Sequence, residues 1–175
     1  MPLDKTQLLD FLGIVEKELS RQITLVAVGG TAMTLLDLRP STIDIDFTGQ
    51  GKDVADFKEA LKNISHGFKI DLYKDGVVFS QILPEDYREK SIRIRQIGEI
   101  ELRALQPLDI VVTKIGRLED RDMQDIEACI KGHRLTKETI LSRAKQIQYV
   151  GREANYKANL RHVIGTFFRD RTTRR

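Results

Sequence analysis

With 175 residues, 41% of them apolar and 31% charged, the chain is long enough for one sizeable core and shows neither a disordered nor a collagen-like bias. Its single cysteine, Cys129, excludes an intramolecular disulfide and a cysteine-cluster zinc site. The net charge of +3 conceals an asymmetry: from Gly132 onward eleven Lys or Arg stand against three Asp or Glu, while the preceding residues are acidic on balance. An acidic part followed by a basic part suggests a metal-binding half and a half that attracts polyanions, or else a solvated helical surface. No apolar run approaches the roughly 18 residues that a membrane span needs, and no basic-plus-apolar leader opens the chain, so a cytoplasmic protein without a membrane partner is expected.

Asp4 to Ser20 carries apolar residues at helical spacing, with Asp4 and Gln7 placed to form a capping box. The apolar residues Ile23, Leu25, Val26 and Val28 predict the first strand over Ile23 to Val28. Gly29 and Gly30 follow as a turn, and a helix from Thr31 to about Leu38 has to stop before Pro40. Ile43 to Phe47 then alternates apolar and acidic. On a strand this directs Asp44 and Asp46 to one face and Ile43, Ile45 and Phe47 into the core. A loop over Thr48 to Lys52 and a helix over Asp53 to Asn63 lead to a second alternating run, Phe68 to Tyr73, with Asp71 opposite the apolar face. Asp75-Gly76 reads as a turn, Val77 to Leu83 as a strand, Pro84 to Lys90 as a loop, and Ser91 to Ala104 as a hairpin around Gly98. Pro107 suits the first turn of a helix bearing Ile110, Val111, Ile115 and Leu118, and the charged run Glu119 to Asp125 comes after it. Two further helices are predicted, Thr136 to about Val150 and about Asn155 to Phe168, and Arg169 to Arg175 is expected as a mobile tail.

Two carboxylates at i and i+2 of a strand raise each other's energy, and the usual outcomes are a raised pKa, a shared proton or a bound cation. A hard divalent ion such as Mg²⁺ (or Mn²⁺) takes carboxylate oxygens and keeps sites open for water and phosphate, which suits phosphoryl chemistry. Gly29 and Gly30 lack Cβ atoms and let backbone N–H groups approach a phosphate, and Thr31 adds a hydroxyl. Asp71 is placed to be a third carboxylate. His66, His133 and His162 lie in unrelated contexts, and Cys129 sits at a helical apolar position that suits a buried small residue.

The Gly-Gly-Thr-Ala turn, Arg39, Thr42 and the Asp-Ile-Asp strand together resemble the signature of the polymerase-beta-like nucleotidyltransferase superfamily. The closest flavour is that of small prokaryotic members such as the AbiEii-like toxins and the aminoglycoside nucleotidyltransferases. Lys114 followed by Arg121-Asp122-x-x-Asp125 is similar to a second motif of the AbiEii-like families. The resemblance implies an α+β fold: a mixed twisted sheet with flanking helices over residues 1–105 and a helical part over 106–175 packed on it. It implies Asp44, Asp46 and Asp71 as catalytic metal ligands, and Gly29, Gly30, Thr31, Arg39, Thr42 and Lys114 on the nucleotide. The corresponding activity is transfer of an NMP from an NTP to an acceptor, which the sequence leaves open among small molecule, RNA and protein, with an antitoxin as a further partner. A non-catalytic nucleotide- or protein-binding module with the same fold is the alternative. If the basic segment serves a polyanionic acceptor, Arg143, Lys145, Arg152, Lys157 and Arg161 are the candidates.

Overall fold

The computed structural model describes residues 1–151 and 153–169. Helix α1 (Lys5–Val15) starts on the predicted capping box, in which the Asp4 carboxylate accepts from the Gln7 N–H. A 3₁₀ turn (Glu16–Glu18) ends it and leads into β1 (Ile23–Ala27). The short α2 (Gly29–Leu35), β2 (Ile45–Gly49), α3 (Gly51–Leu61) and β3 (Ile70–Lys74) follow. Next come the small strands β4 (Val77–Val78) and β5 (Gln81–Ile82), the one-turn helix α4 (Tyr87–Lys90), and the hairpin of β6 (Ile92–Ile97) and β7 (Ile100–Ala104). The rest comprises α5 (Pro107–Arg117), α6 (Asp120–His133), α7 (Lys137–Ala144), β8 (Gln148–Tyr149) and α8 (Glu153–Phe167). Among the described residues no helix is long and apolar enough to cross a membrane.

The main sheet has the order β3-β2-β1-β7-β6 and is mixed: β1 runs antiparallel to β2 and parallel to β7, β2 runs parallel to β3, and β6 and β7 are antiparallel. This is the α+β architecture expected from the sequence. Central β1 is buried along its length except at Thr24, which is half-buried, and its remaining positions are all apolar. Phe47 of β2 meets Phe57 of α3 edge to face, with ring centroids 5.8 Å apart. The alternation of β2 therefore turns Asp46 to the opposite face.

Several boundaries differ from the predicted ones. The acidic strand starts at Ile45 and not Ile43, because Thr42 is claimed by an antiparallel bridge to Leu3 and the chain bends through Ile43 and Asp44. Ile43, expected in the core, is 53% exposed. The strand then runs on through Thr48 to Gly49, where a Cβ would lie 2.9 Å from the Thr24 carbonyl oxygen, so only glycine fits beside β1. The predicted strand over Val77 to Leu83 is broken into β4 and β5 by Phe79 and Ser80, both at positive φ (49° and 61°), a hairpin geometry that these residue types do not announce. The predicted loop over Pro84 to Lys90 contains α4, and the charged run after α5 is the first turn of α6. The helix capped by Thr136 ends at Ala144, and β8 then joins a three-stranded sheet of order β4-β5-β8 that ties the C-terminal part to residues before 105. Of the tail expected from Arg169, all but Arg169 itself lies outside the described residues.

Arg143, a candidate for contacting a polyanion, is instead buried: its guanidinium makes two hydrogen bonds to the fully buried Asp109 carboxylate in the first turn of α5 and one of 2.7 Å to Asp86. Removing one partner of such a pair leaves an uncompensated buried charge. Arg143→Ala is expected to lower the unfolding free energy by about 3–5 kcal/mol, measured by urea denaturation; a loss below about 1 kcal/mol would contradict a docking role for this pair.

Candidate active site

The turn between β1 and α2 leaves Val28 extended and puts Gly29 at φ +54°, so α2 begins at Gly29, two residues before the predicted start. Both glycines are required sterically. A Cβ on Gly29 would lie 3.3 Å from Asp46 Oδ2 and 3.3 Å from the Phe79 ring, in a backbone conformation that strains any other residue. A Cβ on Gly30 would lie 2.8 Å from the Thr42 hydroxyl and 3.2 Å from the Arg39 guanidinium.

Thr31 is fully buried and does not reach the cleft that the glycines border. Its hydroxyl donates to the Asp44 carbonyl oxygen (3.1 Å) and accepts the Asp46 N–H (2.9 Å). The Thr42 hydroxyl donates to the same Asp44 carbonyl at 2.9 Å. Two threonines thus hold the backbone on which both acidic residues sit. Asp44 lies in the bend just before β2, whereas Asp46 is the second residue of the strand and is paired in parallel register with Asp71 of β3. Residues in register on neighbouring strands project from the same face, so Asp46 and Asp71 stand side by side.

This arrangement is costly electrostatically. Asp46 is 7% exposed, and burial, followed by the charges of Asp71 and Asp44, pushes its carboxyl pKa up to about 6. Lys69 and Arg117 partly offset the shift. Lys69 lies 3.0 Å from Asp71, at an exposed position where an ion pair contributes little to stability. Tyr73 is pushed up to about 12, by burial first and then by Asp46 and Asp71. Its ring packs edge to face on Phe79 at 5.2 Å, and the Arg117 guanidinium lies over the other ring at 5.4 Å.

The opposite wall is a buried ion cluster. Lys114, 6% exposed, has its Nζ 2.9 Å from Asp122 Oδ1 and 2.9 Å from Asp125 Oδ2. Arg117 grips Asp122 with two hydrogen bonds of 3.0 and 2.9 Å, and Arg39 approaches Asp125 at 3.4 Å. Burial alone would raise the Asp122 pKa, but the hydrogen bonds from Arg117 and Lys114 bring it down to about 2. Asp122 also accepts the Glu119 N–H and so caps α6. Between the two walls runs a cleft of about 190 Å³, lined by Gly29, Gly30, Thr42, Asp44 and Asp46 on one side and Arg39, Lys114, Arg117, Glu119, Arg121, Asp122 and Asp125 on the other. Among the described residues no three His, Cys, Asp or Glu side chains converge into a ready-made metal cage.

Residues 7–167 match a family described as "Nucleotidyltransferase of unknown function" (DUF6036). The chain belongs to this family. The match spans both walls of the cleft and supports a general nucleotidyltransferase function, in line with the superfamily resemblance of the Gly-Gly and Asp-Ile-Asp segments. No curated protein and no solved structure matches the chain.

Within this nucleotidyltransferase chain, Gly29, Gly30, Arg39, Thr42, Asp44, Asp46 and Lys114 meet at one cleft. Asp71 adjoins Asp46 through the sheet, and Thr31 lies behind it. Lys114, expected as a ligand of the triphosphate, borders the cleft with its ammonium engaged by two carboxylates. Sequence reasoning missed Arg117 and Phe79. Arg117 could have been found, since it follows Lys114 by three residues on one helix face; Phe79 depends on a left-handed turn without a sequence signal. Of the remaining basic candidates, Lys145, Lys157 and Arg161 are exposed, Lys157 being 3.3 Å from Glu153, and Arg152 lies outside the described residues.

Because the folded protein holds the Asp46 proton up to about pH 6 and an ordinary carboxyl only to about 3.8, the folded state binds more protons in that window and loses stability as the pH rises through it. In buffer free of divalent cations, Asp46→Asn is expected to stabilise the protein at neutral pH by about 3 kcal/mol. The gain should shrink toward zero as the pH falls to about 4, and an Asn variant less stable than wild type at neutral pH would contradict the charge repulsion.

Proposed function

We propose that the protein transfers a nucleoside monophosphate from an NTP to an acceptor hydroxyl and releases pyrophosphate. The acceptor oxygen forms a bond to the α-phosphorus, the bond from that phosphorus to the bridging oxygen of the β-phosphate breaks, and the hydroxyl proton leaves to solvent. The observation that carries this is the placing of Asp44 and Asp46 at a cleft, with Asp71 in register beside Asp46, next to a turn that tolerates only glycine and across from Lys and Arg side chains held by carboxylates. Such a cleft offers both charge signs, basic groups for the leaving phosphates and Asp44 and Asp46 for a cation.

The acidic residues fit Mg²⁺ or Mn²⁺. A carboxyl whose pKa is driven to about 6 by burial and like charges gains from an added cation. An incomplete cage is what Mg²⁺ uses, since it takes one or two carboxylates and fills its octahedron with water and substrate phosphate oxygens. Bound there, the ion would withdraw charge from the α-phosphate and make the acceptor hydroxyl more acidic. The protein's own groups do the rest. Gly29 and Gly30 let the turn lie against Asp46, Phe79, Thr42 and Arg39 and border the cleft by which a polyphosphate would approach. Arg39, Arg117 and Arg121 supply positive charge along the cleft, and Arg117 is also anchored on Asp122. Thr31 and Thr42 are positioning residues that fix the backbone of Asp44 and Asp46. Lys114 contributes its charge and holds Asp122 and Asp125 in place.

Titration calorimetry with each NTP tests this reading. Binding is expected with Mg²⁺ and not with chelator, and Asp71→Asn, at a half-buried and therefore tolerant position, should weaken it at least about tenfold. Gly29→Ala should weaken it as well, because a Cβ there presses on Asp46. Equal binding with and without divalent cation, in wild type and Asp71→Asn alike, would overturn the metal-dependent reading.

A further inference from the structure

A second cavity, of about 240 Å³, lies on the other side of Phe79, which among the described residues is the one side chain that lines both it and the cleft. We propose that this cavity receives the heteroaromatic base of the nucleotide, read by Gln81 and Tyr149. The assignment rests on the nucleotide reading given above and adds to it the part of the substrate that distinguishes one NTP from another.

Gln81 of β5 and Tyr149 of β8 are direct partners in an antiparallel pair, so both side chains leave the small sheet on the same face. Gln81 is 3% exposed, and its Nε2 donates to the Thr113 carbonyl oxygen at 2.9 Å. A carbonyl accepts only, so this bond fixes which end of the amide is which and leaves Oε1 as a buried acceptor. Oε1 has no partner among the described residues, and neither has the buried Tyr149 hydroxyl. The Gln81 amide also rests directly on Gly116 of α5: a Cβ there would lie 2.1 Å from Nε2 and 2.9 Å from Oε1. The bare glycine backbone is what lets the amide lie at the cavity wall.

Two buried polar atoms without partners, on side chains paired across neighbouring strands, are uncommon, since each forfeits its solvation without return. They offer an acceptor and a hydroxyl that can donate or accept. That pattern complements a base edge carrying an N–H next to a ring nitrogen or carbonyl. Aromatic rings border the same space, which suits a planar ring: Phe79, Tyr149 and Tyr156, the last two with centroids 4.4 Å apart. The Tyr156 hydroxyl is already committed to the Val112 carbonyl at 2.8 Å and takes no part in reading. The left-handed turn at Phe79 and Ser80 joins the two spaces, because it seats the Phe79 ring against Gly29 while β5 carries Gln81 into the second cavity.

The test compares the four NTPs with inorganic tripolyphosphate, all with Mg²⁺, on wild type, Tyr149→Phe and Gln81→Met. One NTP is expected to bind wild type more tightly than tripolyphosphate does. Each substitution should weaken that NTP by about 3- to 10-fold and flatten the preference among bases. Tripolyphosphate affinity should stay unchanged, which also reports an intact fold, and Tyr149→Phe removes only an unpaired hydroxyl. The assignment is overturned if tripolyphosphate binds and NTP affinities ignore both substitutions, or if tripolyphosphate binds as tightly as every NTP. Absence of binding by both ligand types would overturn the nucleotide reading and this assignment with it.

Discussion

The Thr31 hydroxyl, bonded at once to the Asp44 carbonyl and the Asp46 N–H, determines where the acidic side chains of this protein stand. A sheet places Asp46 beside Asp71 by register alone, but Asp44 lies in a bend, where no ladder holds it. The hydroxyls of Thr31 and Thr42 replace the missing ladder at that point. Because Thr31 belongs to α2, the same contact couples the glycine turn to the acidic strand, and a shift of one moves the other. Like charges are kept close by neutral hydrogen bonds behind them, which leaves the carboxylate oxygens themselves available.

The opposite wall follows the reverse logic. Lys114, Arg117 and Arg39 are not left free but are bound to Asp122 and Asp125, at distances of 2.9 to 3.4 Å. Two carboxylates, each 2.9 Å away, hold the Lys114 ammonium in position. Asp122 additionally caps α6, so the arrangement of the cluster and the start of that helix are one feature. The motif of Lys114 with Arg121-Asp122-x-x-Asp125 is thus explained first as a means of holding charge rigidly at the cleft, and through that as a means of facing phosphate.

Much of this was legible in the sequence, for particular physical reasons. The apolar and acidic alternation around Asp46 and Asp71 survives because strand periodicity is two and one face of β2 is packed on α3. The glycine pair was legible because close approach excludes Cβ atoms, and it does so here against Asp46, Phe79, Thr42 and Arg39. What was not legible depends on partners remote in sequence. Ile43 leaves the core because Leu3 claims Thr42. Arg143 looks like a surface cation until Asp109, 34 residues away, is seen to hold it. The split at Phe79 and Ser80 needs two left-handed residues that carry no glycine or asparagine signal, and with it the pairing of Gln81 and Tyr149 was hidden.

The central claim is that the two charged walls serve transfer of a nucleotidyl group. Incubating the protein and Mg²⁺ with an acceptor-containing extract and NTPs labelled at the α- or the γ-phosphate addresses it most directly. The account predicts that α-label becomes attached to an acceptor in step with pyrophosphate release, that γ-label does not, and that Asp46→Asn stops the transfer while remaining folded. Transfer of γ-label, or bound NTP that is never turned over by a protein whose acceptor is demonstrably present, would contradict it.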